Sequence, residues 1–245
     1  MAFPVPGTPV ATTIASGTTA GVVLPAAIAV GELLFILLRT AVAGAHGYPG
    51  GWTELFDLSS DAADDQMSLA GKIADGSEDG TTVNVSQGSG KGAALSWGAT
   101  GHEPTLPPEL STVATGASTT PNPTTCTPTG GAKDYLWTWL GGWEGEQTSP
   151  PASTPTNYGT TYGADSGTAA AVTTNCRVAI THRQNNAASE DPAAWTISAS
   201  DDWTAYCMAV HPEIVLTNEQ KWDRLGRVHH GPLRSPYRRD PFEVR

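Results

Sequence analysis

Glycine and proline, 27 and 19 of the 245 residues, cut this chain into short pieces, and that punctuation limits its fold more than any other feature. Inside a helix Gly costs about 1 kcal/mol and Pro about 3 kcal/mol relative to Ala, so few stretches here can carry a long helix. The apolar residues between the breaks recur every second position, the period of a strand with one buried face. Residues 81–87 put Val83 and Val85 on one face, and residues 93–100 put Leu95 and Trp97 on alternate sites. Residues 134–143 send Tyr135, Trp137 and Trp139 one way and Leu136 and Leu140 the other. Residues 32–44 are apolar almost throughout, as in a central strand covered on both faces. With further strands expected at residues 21–24, 52–58, 177–183, 195–200 and 202–210, about nine strands and almost no helical period predict an all-β fold. The expected form is an antiparallel β-sandwich, jelly-roll-like, over residues 20–214. Residues 105–131 and 148–167 are rich in Pro, Thr, Ser and Gly and read as long surface loops.

The two ends read differently. Pro4, Pro6 and Pro9 predict an extended N-terminal arm over residues 1–19. At the other end, residues 215–245 predict a Pro-rich strap. Thr217 and Gln220 have the spacing of a helix-capping pair, with a short helix over 221–225 closed by Gly226. After it, Pro232, Pro236 and Pro241 prevent any regular element.

Charge separates strap from body. The whole chain has 13 basic and 24 acidic side chains, a formal net charge of −11. Residues 1–214 hold 6 of the bases and 20 of the acids, a net of −14; residues 215–245 hold 7 bases and 4 acids, a net of +3. An acidic body disfavours nucleic acid, whose phosphates need clustered Lys and Arg. An acidic body with a basic end is attracted to copies of itself or to another acidic surface. The expected partner-binding residues are therefore the cations Lys221, Arg224, Arg227, Arg234, Arg238 and Arg239, with the aromatic anchors Trp222, Tyr237 and Phe242. The apolar run at residues 22–38 is broken by Pro25, Gly31 and Glu32, so no membrane-spanning helix is expected. Three cysteines, Cys126, Cys176 and Cys207, make neither a disulfide framework nor a zinc spacing and suit a reducing compartment.

Motifs for chemistry are weak. Residues 163–167 miss the nucleophile-elbow pattern by one place, and residues 87–92 lack the first Gly and the final Ser/Thr of a phosphate loop. The six histidines show no ligand spacing, and the carboxylates at 57–65, 78–79, 190–191 and 201–202 sit among turn residues that Asp commonly caps. No catalytic residue, cofactor or metal is expected, although the 57–65 group leaves cation binding open. Eight tryptophans are mostly at core-facing strand positions. Trp139 and Trp143, flanking Gly141 and Gly142, are the candidates for exposed rings that could stack on a glycan.

Three strings, residues 24–41, 47–56 and 74–86, followed by 131–145, 155–160 and 183–212, resemble a β-sandwich module encoded by tailed bacteriophages. The resemblance runs from about residue 21 to residue 212 and implies a virion component assembled in the host cytoplasm. It supplies no catalytic residues. Combined with the charge split, it leads us to expect a non-enzymatic capsid decoration, or cement, protein. Its terminal segments would clamp other virion proteins, and it would form a symmetric homo-oligomer, with a trimer as first guess. The alternatives are a tail-fibre or tail-tip adhesin binding host glycans and a polysaccharide depolymerase working through paired carboxylates.

Overall fold

A computed structural model describes residues 2–59, 64–145, 151, 153–167 and 175–214. The chain divides into two compact units, residues 1–213 and 214–245. The expected helix at 217–225 and the strap lie outside the described residues.

The first unit is all-β. Its strands are β1 (Val5–Pro6), β2 (Val10–Val23), β3 (Leu33–Thr40), β4 (Thr53–Leu58), β5 (Gln66–Ile73) and β6 (Thr82–Thr100), then β7 (Glu109–Leu110), β8 (Ala114–Ser118), β9 (Lys133–Glu144), β10 (Tyr162–Asp165), β11 (Cys176–Ala187) and β12 (Asp201–Val210). They form two antiparallel six-stranded sheets. Winding is sequential: the first six strands complete sheet I before the last six build sheet II.

The two sheets are built alike. Sheet I runs β1-β6-β3-β5-β4, with β2 also on β6; sheet II runs β7-β12-β9-β11-β10, with β8 also on β12. Replacing each strand of the first half by the one six places later reproduces the second sheet strand for strand. Registers agree as well. Val5 pairs with Thr100 and Val10 with Ser96 in sheet I, while Glu109 pairs with Ala209 and Ala114 with Ala205 in sheet II. After β5 comes Ser77-Glu78-Asp79, and after β11 comes Ser189-Glu190-Asp191. Each Glu holds a cation from the strand before it: Glu78 bonds Lys72 at 2.5 Å and Glu190 bonds Arg183 at 2.7 Å. The body is therefore a structural repeat, two halves facing each other.

Between the sheets lies the main core, with Leu33, Phe35, Leu37, Leu69, Leu95 and Trp97 from one side and Leu136, Leu140, Val178, Ile180 and Met208 from the other. Every residue of β3 is buried because its other face is covered too. There the first parts of β6 and the last parts of β2, paired at Ala20–Val85 and Val22–Val83, lay their apolar side chains on Leu34, Ile36 and Leu38. Sheet II has the same cover in shorter form: Ile197 N–H donates to the Thr119 carbonyl and Trp195 N–H to that of Pro121. Ile197 and Trp195 pack with Trp139 and Trp143.

Several details depart from the sequence reading. Most of the N-terminal segment is extended but not a free arm: β1 and β2 pair with β6 of the same chain. The physical reason is the alternation of Val10, Thr12, Ile14, Ala20 and Val22, which gives this stretch an apolar side to bury. Residues 81–87 and 93–100 belong to one 19-residue strand, β6, so the Gly-rich string at 87–92 is strand and not loop. Gly88 and Gly90 are there because a Cβ would fall 2.6 Å from the Ala43 carbonyl oxygen and from Val42 respectively. β5, β7, β8 and β10 are additional strands, the last three inside segments expected to be loops. Among the described residues there is no helix, hence none long and apolar enough to cross a membrane.

Candidate functional site

The nine expected partner-binding residues, from Lys221 to Phe242, lie outside the described residues. The two candidate glycan-stacking rings are described, and they correct the expectation. Trp139 and Trp143 are 0% exposed. Trp139 lies against Trp195 with ring centroids 3.5 Å apart, and Trp143 meets Trp195 edge-on at 6.1 Å. Neither ring offers a face to a sugar.

The Gly pair between them explains why. Its two residues point to opposite faces of β9. A Cβ on Gly141 would sit 2.5 Å from the Trp139 ring, so the absent side chain is the space in which that ring lies. A Cβ on Gly142 would sit 2.8 Å from Cδ of Arg39 and 2.9 Å from the Arg177 carbonyl oxygen. In the repeat, Leu34, Ile36 and Leu38 of β3 correspond to Trp139, Gly141 and Trp143 of β9: two large rings and a gap replace three aliphatics. The signal for exposure was thus a signal for burial.

Gly142 leads to the main charged cluster. Arg39, the one cation within the apolar run at 32–44, is 0% exposed in the inter-sheet core. Its guanidinium is ion-paired with Asp65, whose side chain is 1% exposed. Glu144, buried nearby, has its carboxyl pushed up to about 7 by burial first; the Arg39 charge works against this, while Asp64, Asp201 and Asp202 add to it. Donor oxygens of Asp64, Asp65 and Glu144 all lie within 4.8 Å of one another, the described group best able to surround a cation. That part is already taken by Arg39, a permanent cation held against Asp65. Asp57 does not join this group; it is engaged elsewhere.

Asp57 belongs to a second buried network on the outer side of sheet I. It accepts the His46 backbone N–H at 2.8 Å and the Gln66 amide at 2.6 Å. The His46 ring contacts Ser68 Oγ through Nδ1 at 2.6 Å and Thr40 Oγ1 through Nε2 at 3.0 Å, and Tyr48 shares the Ser68 hydroxyl at 2.7 Å. Ser, His and Asp together invite comparison with a hydrolase triad, but the wiring is wrong. Ser68 and Asp57 approach the same ring nitrogen, Nδ1, at 2.6 and 3.8 Å, whereas a triad puts nucleophile and carboxylate on opposite nitrogens. Ser68 is also fully buried, and burial holds the His46 ring neutral, its pKa lowered to about 4. This is a polar clamp that fixes residues 46–48 to the sheet.

Other buried polar groups bond within the fold. His182 faces the core, bonds Thr138 Oγ1 at 3.0 Å and is driven down to about 4 by burial. His211 bonds Glu109 at 2.8 Å, and Ser166 accepts the Cys176 N–H. Two open grooves lie among the described residues. One, of about 500 Å³, lies between Leu33, Leu55 and Ile73 and residues 102–108, with Lys72 at its rim already bonded to Glu78. The other, of about 220 Å³, is its counterpart in the repeat, between Leu136, Tyr162, Arg183 and Pro6. The first is also lined by His102, Glu103 and Thr105, whose polar atoms bond locally: Thr105 Oγ1 donates to Glu103 at 2.6 Å, and His102 Nδ1 lies 3.2 Å from the Ala99 carbonyl oxygen.

Arg39 was findable in the sequence: a lone Arg in a strand covered on both faces needs a buried counter-charge. The His46 network had no local signal, since its members are spread over residues 40–68 and meet only through strand pairing. No protein-family model, no curated protein and no solved structure matches this chain.

Proposed function

We propose that this chain is a non-enzymatic virion structural protein of a tailed phage, a two-sheet, jelly-roll-like body that decorates the capsid and is fastened by its C-terminal strap. The observation that carries the reading is the charge division, −14 over residues 1–214 against +3 over 215–245, the latter a segment holding Pro232, Pro236 and Pro241. Such a segment buries little surface alone and gains order by binding an acidic neighbour. The N-terminal segment is not part of this clamp, because its strands are used within the sheet. The phage resemblance supports the setting. A glycan-binding fibre tip loses its carriers with the burial of Trp139 and Trp143.

The clamp residues are Lys221, Arg224, Arg227, Arg234, Arg238 and Arg239 with Trp222, Tyr237 and Phe242. The partners are other virion proteins and further copies of the chain in a symmetric trimer. Deleting residues 217–245 tests this. The truncated body should unfold as cooperatively as the full chain, yet sediment as a monomer and fail to bind particles. Equal binding by the truncated and full-length proteins would overturn the proposal.

A further inference from the structure

Cys126 and Cys207 lie together in a buried cluster with Tyr135, Trp137 and Ala209, on the outer face of sheet II. They come from different kinds of segment. Cys207 is in the middle of β12, hydrogen-bonded between β9 and the Ser111 segment. Cys126 is in the strand-free stretch before β9, tied down by a reciprocal pair of 2.9 Å backbone hydrogen bonds to Glu190. The two thiols share a side-chain hydrogen bond, which favours the thiolate of Cys126 and disfavours that of Cys207. Cys126 Sγ also approaches the Glu109 carbonyl at 3.6 Å. Cys176 is set apart. It faces the inter-sheet core on the other side of sheet II, its Sγ 3.2 Å from the Arg39 carbonyl, with burial pushing the thiol up to about 11.

We propose that Cys126 and Cys207 are a dithiol site that closes to an intramolecular disulfide under peroxide, stapling the cover of sheet II to β12, while Cys176 stays reduced. The oxidant is small and uncharged, as a 1% exposed thiol requires. The Cys126 thiolate attacks one peroxide oxygen and the O–O bond breaks, giving a sulfenic acid and, with one proton, water. The Cys207 sulfur then attacks the Cys126 sulfur, an S–S bond replaces the S–OH bond, and the hydroxyl leaves with the Cys207 proton as a second water. Two sulfurs lose two electrons in all, and one peroxide is reduced to two waters. The staple spans residues 126–207, a long loop, so it restricts the unfolded chain strongly and should raise the thermal midpoint by about 10 °C.

The test uses full-length protein treated with hydrogen peroxide, then unfolded with an alkylating agent and weighed intact. The expected product has lost two hydrogens, carries one alkyl group, on Cys176, and yields a linked peptide pair containing Cys126 and Cys207. C126S and C207S should each abolish the link and the rise in midpoint, whereas C176S should behave as the parent. Three alkylated cysteines after treatment, arrest at a sulfinic acid on Cys126, or a link through Cys176 would each overturn the proposal.

Discussion

Replacing Arg39 by Met probes the centre of the molecule. The guanidinium is fully buried, and its ion-pair partner Asp65 is 1% exposed at the side chain. Met matches the aliphatic stem and lies beside Met67, whose Sδ is 4.0 Å from Arg39 Nη1, so the packing volume is nearly kept. What changes is charge: the Asp65 carboxylate is left in a low-dielectric core without its counter-ion. Breaking one side of a buried pair costs about 3–5 kcal/mol. For a body of this size each kcal/mol moves the midpoint by about 2–4 °C, so R39M should melt about 10 °C below the parent at neutral pH, by circular dichroism. Removing both charges should undo most of the loss, because a buried pair replaced by neutral groups is often close to neutral. The double variant R39M/D65N is therefore expected to melt within about 4 °C of the parent. The two outcomes must occur together. A melting point for R39M within about 2 °C of the parent, or a double variant no better than the single one, would refute the view that a compensated buried charge organises this core.

The Gly pair gives a steric counterpart. G142A places a Cβ within 3 Å of both the Arg39 side chain and the Arg177 backbone, only one of which can move aside. It should cost about 1–3 kcal/mol by chemical denaturation, and a neutral result would show that β9 and β11 can separate freely. Glu144 predicts a pH dependence. Its folded-state pKa of about 7 lies above the ordinary 4.5, so the folded protein binds the extra proton between those values. Stability should then fall as pH rises from about 4.5 to about 7 and level off above. E144Q should remove that part of the slope in melting curves taken across the same range; an unchanged slope assigns it to another group.

Strand periodicity was readable because burial on one or both faces writes itself directly into the order of residues. The alternation at 134–143 placed Tyr135, Trp137 and Trp139 opposite Leu136 and Leu140, and they pack in separate clusters on the two faces of sheet II. β5 was harder. Gln66, Ser68, Gly71 and Lys72 interrupt its apolar residues, yet its first six residues are buried because β3 and β4 flank it and the other sheet covers it. Exposure of Trp139 and Trp143 was misjudged for a related reason. The Gly pair between them suggests open space beside the rings, and only the Trp139 ring packed over Gly141 shows that its missing side chain is filled space. The repeat was legible in principle from Ser77-Glu78-Asp79 and Ser189-Glu190-Asp191. These are followed at matching distances by Val83-Asn84-Val85-Ser86 and Trp195-Thr196-Ile197-Ser198. Its weakness elsewhere follows from the physics: a Leu-Ile-Leu surface and a Trp-Gly-Trp surface fill the same place with no residue in common. The Arg39 cluster joins residues from both halves, a pairing that no local pattern encodes.

Because each sheet is one half of the repeat, the contact between sheets has the form of a two-fold dimer whose protomers share a covalent tether. Dilution cannot separate them, and the tether supplies a local concentration that independent chains would have to reach by expression level. Nor must the halves remain copies. One could keep an aliphatic lid while the other took up indoles and a thiol pair, without any requirement that the change suit both sides of a symmetric interface. Each molecule therefore presents two related but unequal outer faces, one lined by aliphatic side chains and the other by indoles and two thiols.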